Sequence, residues 1–417
     1  MKFVNFEGDC YSDGFKLGSY WKNFLRNRIC NVNKVQKKNK ITESVLNSRI
    51  KDFTRILKSV SGNWLEEAKG ISDAAGIDLN DYLKINCLPP DFFSSKKAGN
   101  CTSFISIGKK HNMLFKIRDE RNHIQSFYTR KYGKFHYQVG HDIGNMGVAH
   151  FFSSSGLAGA NNTGSTTEDI TEEPALSDCH ILRYVAEHAS SVEKIPDLIE
   201  KLIGKKVAGG AGKKRGTILL LADSEKGIIL EYTSRDFTYK FIDKGIFTVS
   251  NHFTLPKARK WESAAPSKNT LLRKKRIDEL LHGVVDENDL KRIFALSRDR
   301  KYVPHSLCND DLKHFWMTIS VHLQVIDRKD PGNSINYACC GNSRHSFFLP
   351  FPISETASFE PLLSGRYYSA SDSLYQRFKC SNHMKKIQAQ FEDRILSGTC
   401  EYIKLYSEAY SILNRIP

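Results

Sequence analysis

Residues 100–107, Asn100-Cys101-Thr102-Ser103-Phe104-Ile105-Ser106-Ile107, stand where the character of the chain changes. Upstream, residues 1 to about 90 read as mostly helical. Tyr11–Arg28 carries Phe15, Leu17, Tyr20, Trp21, Phe24 and Leu25 at near-helical spacing, and Val45–Ile71 repeats the pattern with Phe53, Ile56, Leu57, Val60, Trp64 and Leu65. Gly76 and Pro89-Pro90 punctuate its end. From Thr102 on, short strand-like runs recur: Thr102–Ile107, Met113–Ile117, Thr217–Ala222, Gly227–Tyr232, Phe237–Ile242, Ile246–Ser250, Thr318–Asp327 and Ile335–Cys340. Ser224-Glu225-Lys226-Gly227 suits a hairpin turn. Helical candidates lie between them at Asp178–His188, Val192–Ile203, Lys268–Leu281 and Glu287–Leu296, with Ser371–Cys380 and Lys385–Leu396 in the tail. Strands with helices grouped between them point to an α+β protein in stacked layers.

The bulk numbers narrow the class. A chain of 417 residues makes one large or two moderate domains, and 40% hydrophobic with 26% charged residues is ordinary globular composition. No run approaches the roughly 18 apolar residues of a membrane span. The start, Met1 to Phe15, has no apolar signal region, so a cytoplasmic, reducing setting is expected, with the ten cysteines free. No cysteine–histidine spacing suggests zinc, and no cofactor or metal is called for. The net charge of +16 comes from dispersed runs such as Lys37-Lys38-Asn39-Lys40, Lys205-Lys206, Lys213-Lys214-Arg215 and Arg273-Lys274-Lys275-Arg276. These read as solvated surface, or as weak attraction to an acidic partner. Nucleic acid is disfavoured, because no aromatics interleave them and no recognition motif accompanies them.

Cys101 is where chemistry enters. If the Asn100–Cys101 bond breaks, Cys101 gains a free α-amino group beside its thiol. Such an amine has a pKa near 8, so it serves as a general base near neutral pH without histidine. The thiolate attacks a carbonyl and leaves an acyl-thioester enzyme, which water hydrolyses or an amine captures. Before cleavage, the same thiol attacks the Asn100 carbonyl. From spacing alone, the alternative is a buried structural cysteine.

The neighbours of Cys101 favour the first reading. Gly8-Asp9-Cys10-Tyr11-Ser12-Asp13-Gly14 with Gly18, then Glu67–Ile77 followed by Asp81 and Asn86, precede Cys101-Thr102-Ser103-Phe104. Downstream come Lys116-Ile117-Arg118-Asp119, Gly156–Asn161, Ser250-Asn251-His252-Phe253, Arg298–Cys308 with Thr318-Ile319-Ser320, and Gly341-Asn342. In this order, over about residues 7–350, the chain resembles the acyl-coenzyme A:6-aminopenicillanate acyltransferase family of N-terminal nucleophile (Ntn) hydrolases. Three positions depart from the family pattern: Asn100 where glycine is frequent, Arg300 for a histidine, and Asn309 for an arginine.

The resemblance implies a four-layer αββα sandwich of two mainly antiparallel sheets, with Cys101 presented at a sheet edge. It divides the chain into a helical leader, residues 1–100, cleaved but retained; a catalytic core, 101–352; and a partly helical extension, 353–417, that it does not cover. It makes Cys101 the nucleophile, Asp119 the carboxylate that orients its amine and thiol, and Asn251 an oxyanion donor worth about 3–4 kcal/mol. Lys116, Arg118, Asn161, Thr102 and Ser306 fall at binding positions, Asn100 and Cys101 at the processing site, and His252 is structural or pocket-lining. Gly341-Asn342 matches a turn after the last strand. The expected activity is cleavage of a linear non-peptidic or N-acyl amide. The alternatives are acyl transfer from a coenzyme A thioester to an amine, and a non-catalytic binding protein on the same fold. Partners are then a small-molecule amide or acyl donor and the chain's own leader.

Overall fold

Two antiparallel sheets with helices on their outer faces make up the computed structural model, which describes residues 2–87, 100–120, 124–165, 175–210, 215–262, 265–283, 289–310, 317–378, 382–398 and 401–415. The N-terminal segment supplies β1 (Phe3–Asn5), α1 (Cys10–Lys38), α2 (Glu43–Val60), α3 (Gly62–Ala75) and α4 (Leu79–Cys87). Strands β2 (Asn100–Ile107), β3 (His111–Glu120), β4 (Gln125–Tyr132), β5 (Phe135–Asp142), β6 (His150–Ser153) and β7 (Ala158–Ser165) follow, then α5 (Asp178–His188) and α6 (Ile195–Gly204). Next come β8 (Arg215–Ala222), β9 (Gly227–Tyr232), β10 (Phe237–Ile242), β11 (Gly245–Val249), α7 (Pro256–Arg259), α8 (Lys268–Leu281) and α9 (Leu290–Leu296). The chain ends with β12 (Met317–Asp327), β13 (Ile335–Cys340), β14 (Leu349–Pro352), β15 (Ala357–Phe359), α10 (Glu360–Leu363), α11 (Arg366–Phe378), α12 (Asn382–Leu396) and α13 (Tyr402–Arg415).

One sheet has the order β10-β9-β8-β7-β6-β5-β4, and the other β11-β2-β3-β12-β13-β14. All strand pairs in both are antiparallel. Helices α1–α6 cover the outer face of the seven-stranded sheet in one core cluster, where Trp21, Phe53, Trp64 and Ile181 meet Tyr128, Leu219 and Leu230. Helices α8, α9 and α11–α13 cover the six-stranded sheet, where Ile277, Phe294, Leu374, Phe391 and Tyr406 meet Phe104, Phe115 and Leu323. Between the sheets, Ile105 and Leu114 pack on Ala160, Leu220 and Ile229. This is the expected four-layer αββα sandwich. β1 pairs with β15, so the N-terminal strand and the strand after β14 share a small sheet of their own.

Several expected elements differ in detail. The stripe Val45–Ile71 is two helices, because Ser61 is extended at φ −159° and Gly62 opens a new helix. β2 is an interior strand between β11 and β3, not a sheet edge; Cys101 sits near its N-terminal end. Gly341-Asn342 follows β13, but β14 and β15 come after it. Pro89-Pro90, Lys213-Lys214 and the start of Glu287–Leu296 lie outside the described residues. The basic run at Arg273 is not all solvated: Arg273 is fully buried, on the inward stripe of α8 with Thr270, Ile277 and Leu281.

Strands β4–β6 were not evident in the sequence, and the polar residues they bury explain why. The sheets meet partly through polar groups. Arg118 makes a two-pronged ion pair with Asp142, the His150 and His322 rings lie 3.4 Å apart, tilted by 33°, and Gln324 donates to the Phe151 carbonyl at 2.8 Å. A strand such as β4, covered on both faces and carrying polar residues on each, Arg130 toward Glu67 of α3 and Gln125 toward Arg118, lacks the apolar–polar alternation that marks a half-exposed strand.

Candidate active site

Antiparallel pairing places Cys101 opposite Arg118, Ser103 opposite Lys116 and Asn100 opposite Asp119. Directly paired residues share a face, so Cys101, Ser103, Lys116 and Arg118 face the space between the sheets, while Asn100, Thr102 and Asp119 face the α8 side. The Cys101 thiol is buried, which pushes its pKa up, and the Lys116 and Arg118 charges act against that. Lys116 is itself buried and lowered by desolvation. Its ammonium donates to the Ala149 carbonyl at 3.1 Å, to Asn161 Oδ1 at 2.7 Å and to the Asn161 carbonyl. Asn161 Nδ2 then reaches Asp178 Oδ2 at 2.8 Å. Neighbouring Asn162 accepts from the Ser103 hydroxyl at 2.8 Å and ties the two sheets together at the level of Cys101.

The Cys101 backbone is held from the other side. Its N–H donates to Asn251 Oδ1 at 2.8 Å. Asn251 Nδ2 donates to the Thr163 hydroxyl at 2.9 Å and the Thr163 carbonyl at 3.0 Å. This network fixes the amide orientation, and it revises the expected role: the Asn251 atom that meets Cys101 is the acceptor, and its donor is engaged by Thr163. The turn carrying Asn251 is anchored by α8, because Thr270 Oγ1 accepts the Asn251 N–H at 2.8 Å. His252 Nδ1 shares the hydroxyls of Ser250 and Thr270, and burial first, then Lys274, holds its pKa down at about 4. It is a structural histidine.

Arg273 is the residue the sequence reading missed. Its guanidinium donates to the Cys101 carbonyl, to Thr102 Oγ1 at 2.8 Å and to Asn251 Oδ1 at 2.8 Å. Asn269, one turn back, fixes Nε at 2.7 Å. The available signal was the stripe Thr270, Arg273, Ile277, Leu281, which puts Arg273 on the apolar face of its helix.

Asp119 is placed elsewhere than expected. Its carboxylate accepts from Asn309 Nδ2 at 2.5 Å and from Thr318 Oγ1 at 2.7 Å, on the sheet face opposite the thiol. Burial raises its pKa to about 7, against the pull of Arg273 and of its two hydrogen bonds. Asn309, a departure from the family pattern, is thus the partner of the carboxylate. Ser306 is buried, and its hydroxyl has no partner among the described residues and no hydrogen bond to Cys101. No group of three or more potential metal ligands occurs among the described residues. The described cysteines are all free, and no described helix is long and apolar enough to cross a membrane.

No protein-family model and no curated protein matches the chain. Among solved structures it is similar to two variants of conjugated bile acid hydrolase from Clostridium perfringens. One is 14% identical at TM-score 0.38, covering 58% of this chain and 89% of that one. The other is 13% identical at TM-score 0.39, covering 61% and 92%. A Caenorhabditis elegans N-acylethanolamine-hydrolyzing acid amidase ortholog is 10% identical at TM-score 0.35, covering 54% and 92%. At these scores the likenesses assign no activity to this chain, and the αββα fold stands on its own sheet topology.

Proposed function

We propose that this chain is a cysteine-dependent amidohydrolase of the N-terminal nucleophile kind, acting on a linear non-peptidic or N-acyl amide. The observation that carries the reading is the grip on Cys101: thiol beside Lys116 and Arg118, N–H on Asn251 Oδ1, carbonyl on Arg273. Any buried residue needs partners for its backbone, but a structural cysteine needs neither side-chain partners that link its N–H to a guanidinium nor two cations beside its thiol.

In this reading the thiol first attacks the Asn100 carbonyl, the acyl group moves from nitrogen to sulfur, and water releases residues 1–100. The freed α-amine stays on Asn251 Oδ1. The Arg273 guanidinium, bonded to that same oxygen, disfavours a second positive charge there and so favours the neutral, basic amine. That amine takes the thiol proton, sulfur attacks the substrate carbonyl, and the amine passes the proton to the leaving nitrogen. Water then hydrolyses the thioester. An amine that binds better than water would turn the same intermediate to acyl transfer.

Incubation of the purified protein with a panel of N-acyl amides, and with acyl-coenzyme A plus amines, followed by intact mass, tests this. Free acid release and a transient acyl adduct on the Cys101-bearing chain are expected, both absent in Cys101→Ala. New amide from acyl-coenzyme A, with little free acid, would select transfer over hydrolysis. Undiminished turnover by Cys101→Ala would remove the nucleophile assignment.

A further inference from the structure

Helix α12 of the C-terminal extension walls one side of an open pocket, away from Cys101. The pocket measures about 360 Å³ and lies between the end of α9, the turn after β13 and one face of α12. Arg298, Arg300, Arg344 and Lys385 line it, with Glu392 and Gln388. Ala295 and Ala389 leave open the room that larger side chains would fill.

Two of the guanidiniums are pinned by the structure. Arg298 is held by Glu392 and the Ser343 carbonyl, and it lies over the Phe348 ring at 5.7 Å. Arg344 is mostly buried and pairs with Asp310. Arg300 shares Asp310 at 2.9 Å but keeps its side chain 41% exposed. Lys385 makes no ion pair among the described residues; its partner is Asn382 Oδ1 at 3.4 Å. Four cations thus face one small cavity against the carboxylates of Glu392 and Asp310. Four cations against two carboxylates leave an excess of positive charge that attracts an anion.

We propose that this cavity binds a small phosphorylated molecule, a phosphate monoester with a short polar body. Guanidinium forks match phosphate oxygens in pairs, and lysine adds a point charge. A monoester carries between one and two negative charges near neutral pH, which suits a cluster with excess positive charge. The volume lies at the lower end of the roughly 300–1,000 Å³ of small-ligand sites, which limits the body attached to the phosphate. The site also adjoins β3: Asp310, which Arg300 and Arg344 hold, follows Asn309, whose side chain holds Asp119, the residue paired with Asn100. It gives the extension a role, since α12 supplies Lys385, Gln388 and Glu392.

Isothermal titration of the full chain with glycerol 3-phosphate, at constant ionic strength and with chloride as control, decides the matter without reference to turnover. One saturable site with Kd below about 1 mM is expected. Inorganic phosphate should compete more weakly. Arg300→Ala combined with Lys385→Glu should weaken binding by about ten-fold or more with the far-ultraviolet circular dichroism unchanged. Lys385→Glu alone, which breaks no ion pair, should give an intermediate loss. No saturable heat, or equal affinity in wild type and both variants, would overturn the proposal.

Discussion

Asn251 Oδ1 accepts two hydrogen bonds, one from the Cys101 N–H and one from Arg273, and this shared atom ties the proposed base to a fixed positive charge. A cation beside an amine lowers the amine's pKa, so removing it raises that pKa. Arg273→Gln should therefore move the acidic limb of the kcat/KM profile to higher pH and lower the rate at neutrality. Arg273→Lys, which keeps the charge, should restore much of the limb's position. An unmoved limb in Arg273→Gln would mean that the guanidinium serves only to hold the backbone. Asn251→Ala should slow both self-cleavage and turnover by about 100-fold, since a misaligned nucleophile loses orientation; a change of only a few-fold would demote it to a structural role. At this scale the sequence was legible wherever a motif fixes a residue's neighbours in the chain, as around Cys101. It was silent where a side chain crosses from another layer: Arg273 comes from α8 and Asn309 from the loop before β12. Asp119 lay inside a readable motif, yet strand alternation, visible only once the register was known, sends it to the opposite face.

Among the elements, α1 and α3 approach so closely that side chains would collide. A Cβ on Gly70 would lie 2.1 Å from the Tyr11 carbonyl oxygen, and one on Gly18 would lie 2.3 Å from that of Ile71. Gly70→Ala should thus destabilise by about 1–3 kcal/mol, read from urea midpoints, because the backbones must separate. α3 is also fastened to the core by charge. Glu67 pairs with Arg130 of β4 and Arg183 of α5, all buried. Glu67→Gln would leave two buried guanidiniums short of their counter-charge and should cost about 3–5 kcal/mol. The same change should make the segment before Cys101 easier to strip from the rest after cleavage, measured by size-exclusion chromatography in moderate urea. Equal release from wild type and Glu67→Gln would refute this account of retention. Most helices and the half-apolar strands could be read from periodicity, since one face of each is greasy. β4 and β5 could not, because Gln138, Arg130 and Asp142 are buried polar residues whose partners come from other elements.

For the whole molecule, buried carboxyls set how stability depends on pH. Burial raises the Glu67 carboxyl, but Arg130 and Arg183 outweigh it and leave the pKa at about 2, below its ordinary 4.5. A carboxyl depressed by folding contributes stability that is full above its unfolded pKa and is lost as pH falls through the folded one. Wild type should therefore lose stability relative to Glu67→Gln as pH falls from 4.5 toward 2, so their difference in urea unfolding shrinks across that window. Asp119 acts in the opposite sense: its folded pKa of about 7 exceeds the ordinary 3.8, so its ionisation weakens the fold as pH rises between them. The layered architecture was legible from the succession of helical and strand-like segments together with the family resemblance. The packing of the extension on the six-stranded sheet was not, because its amphipathic helices α11–α13 say that they bury a face without saying against what.

The proposed chemistry requires Cys101 to become a chain terminus. Intact mass with N-terminal sequencing of purified wild type and Cys101→Ala tests this most directly. Wild type should give two associated chains, the second beginning at Cys101, and Cys101→Ala a single uncut chain. A wild-type chain that stays whole while it hydrolyses an amide, or cleavage after Asn100 in Cys101→Ala, would contradict it.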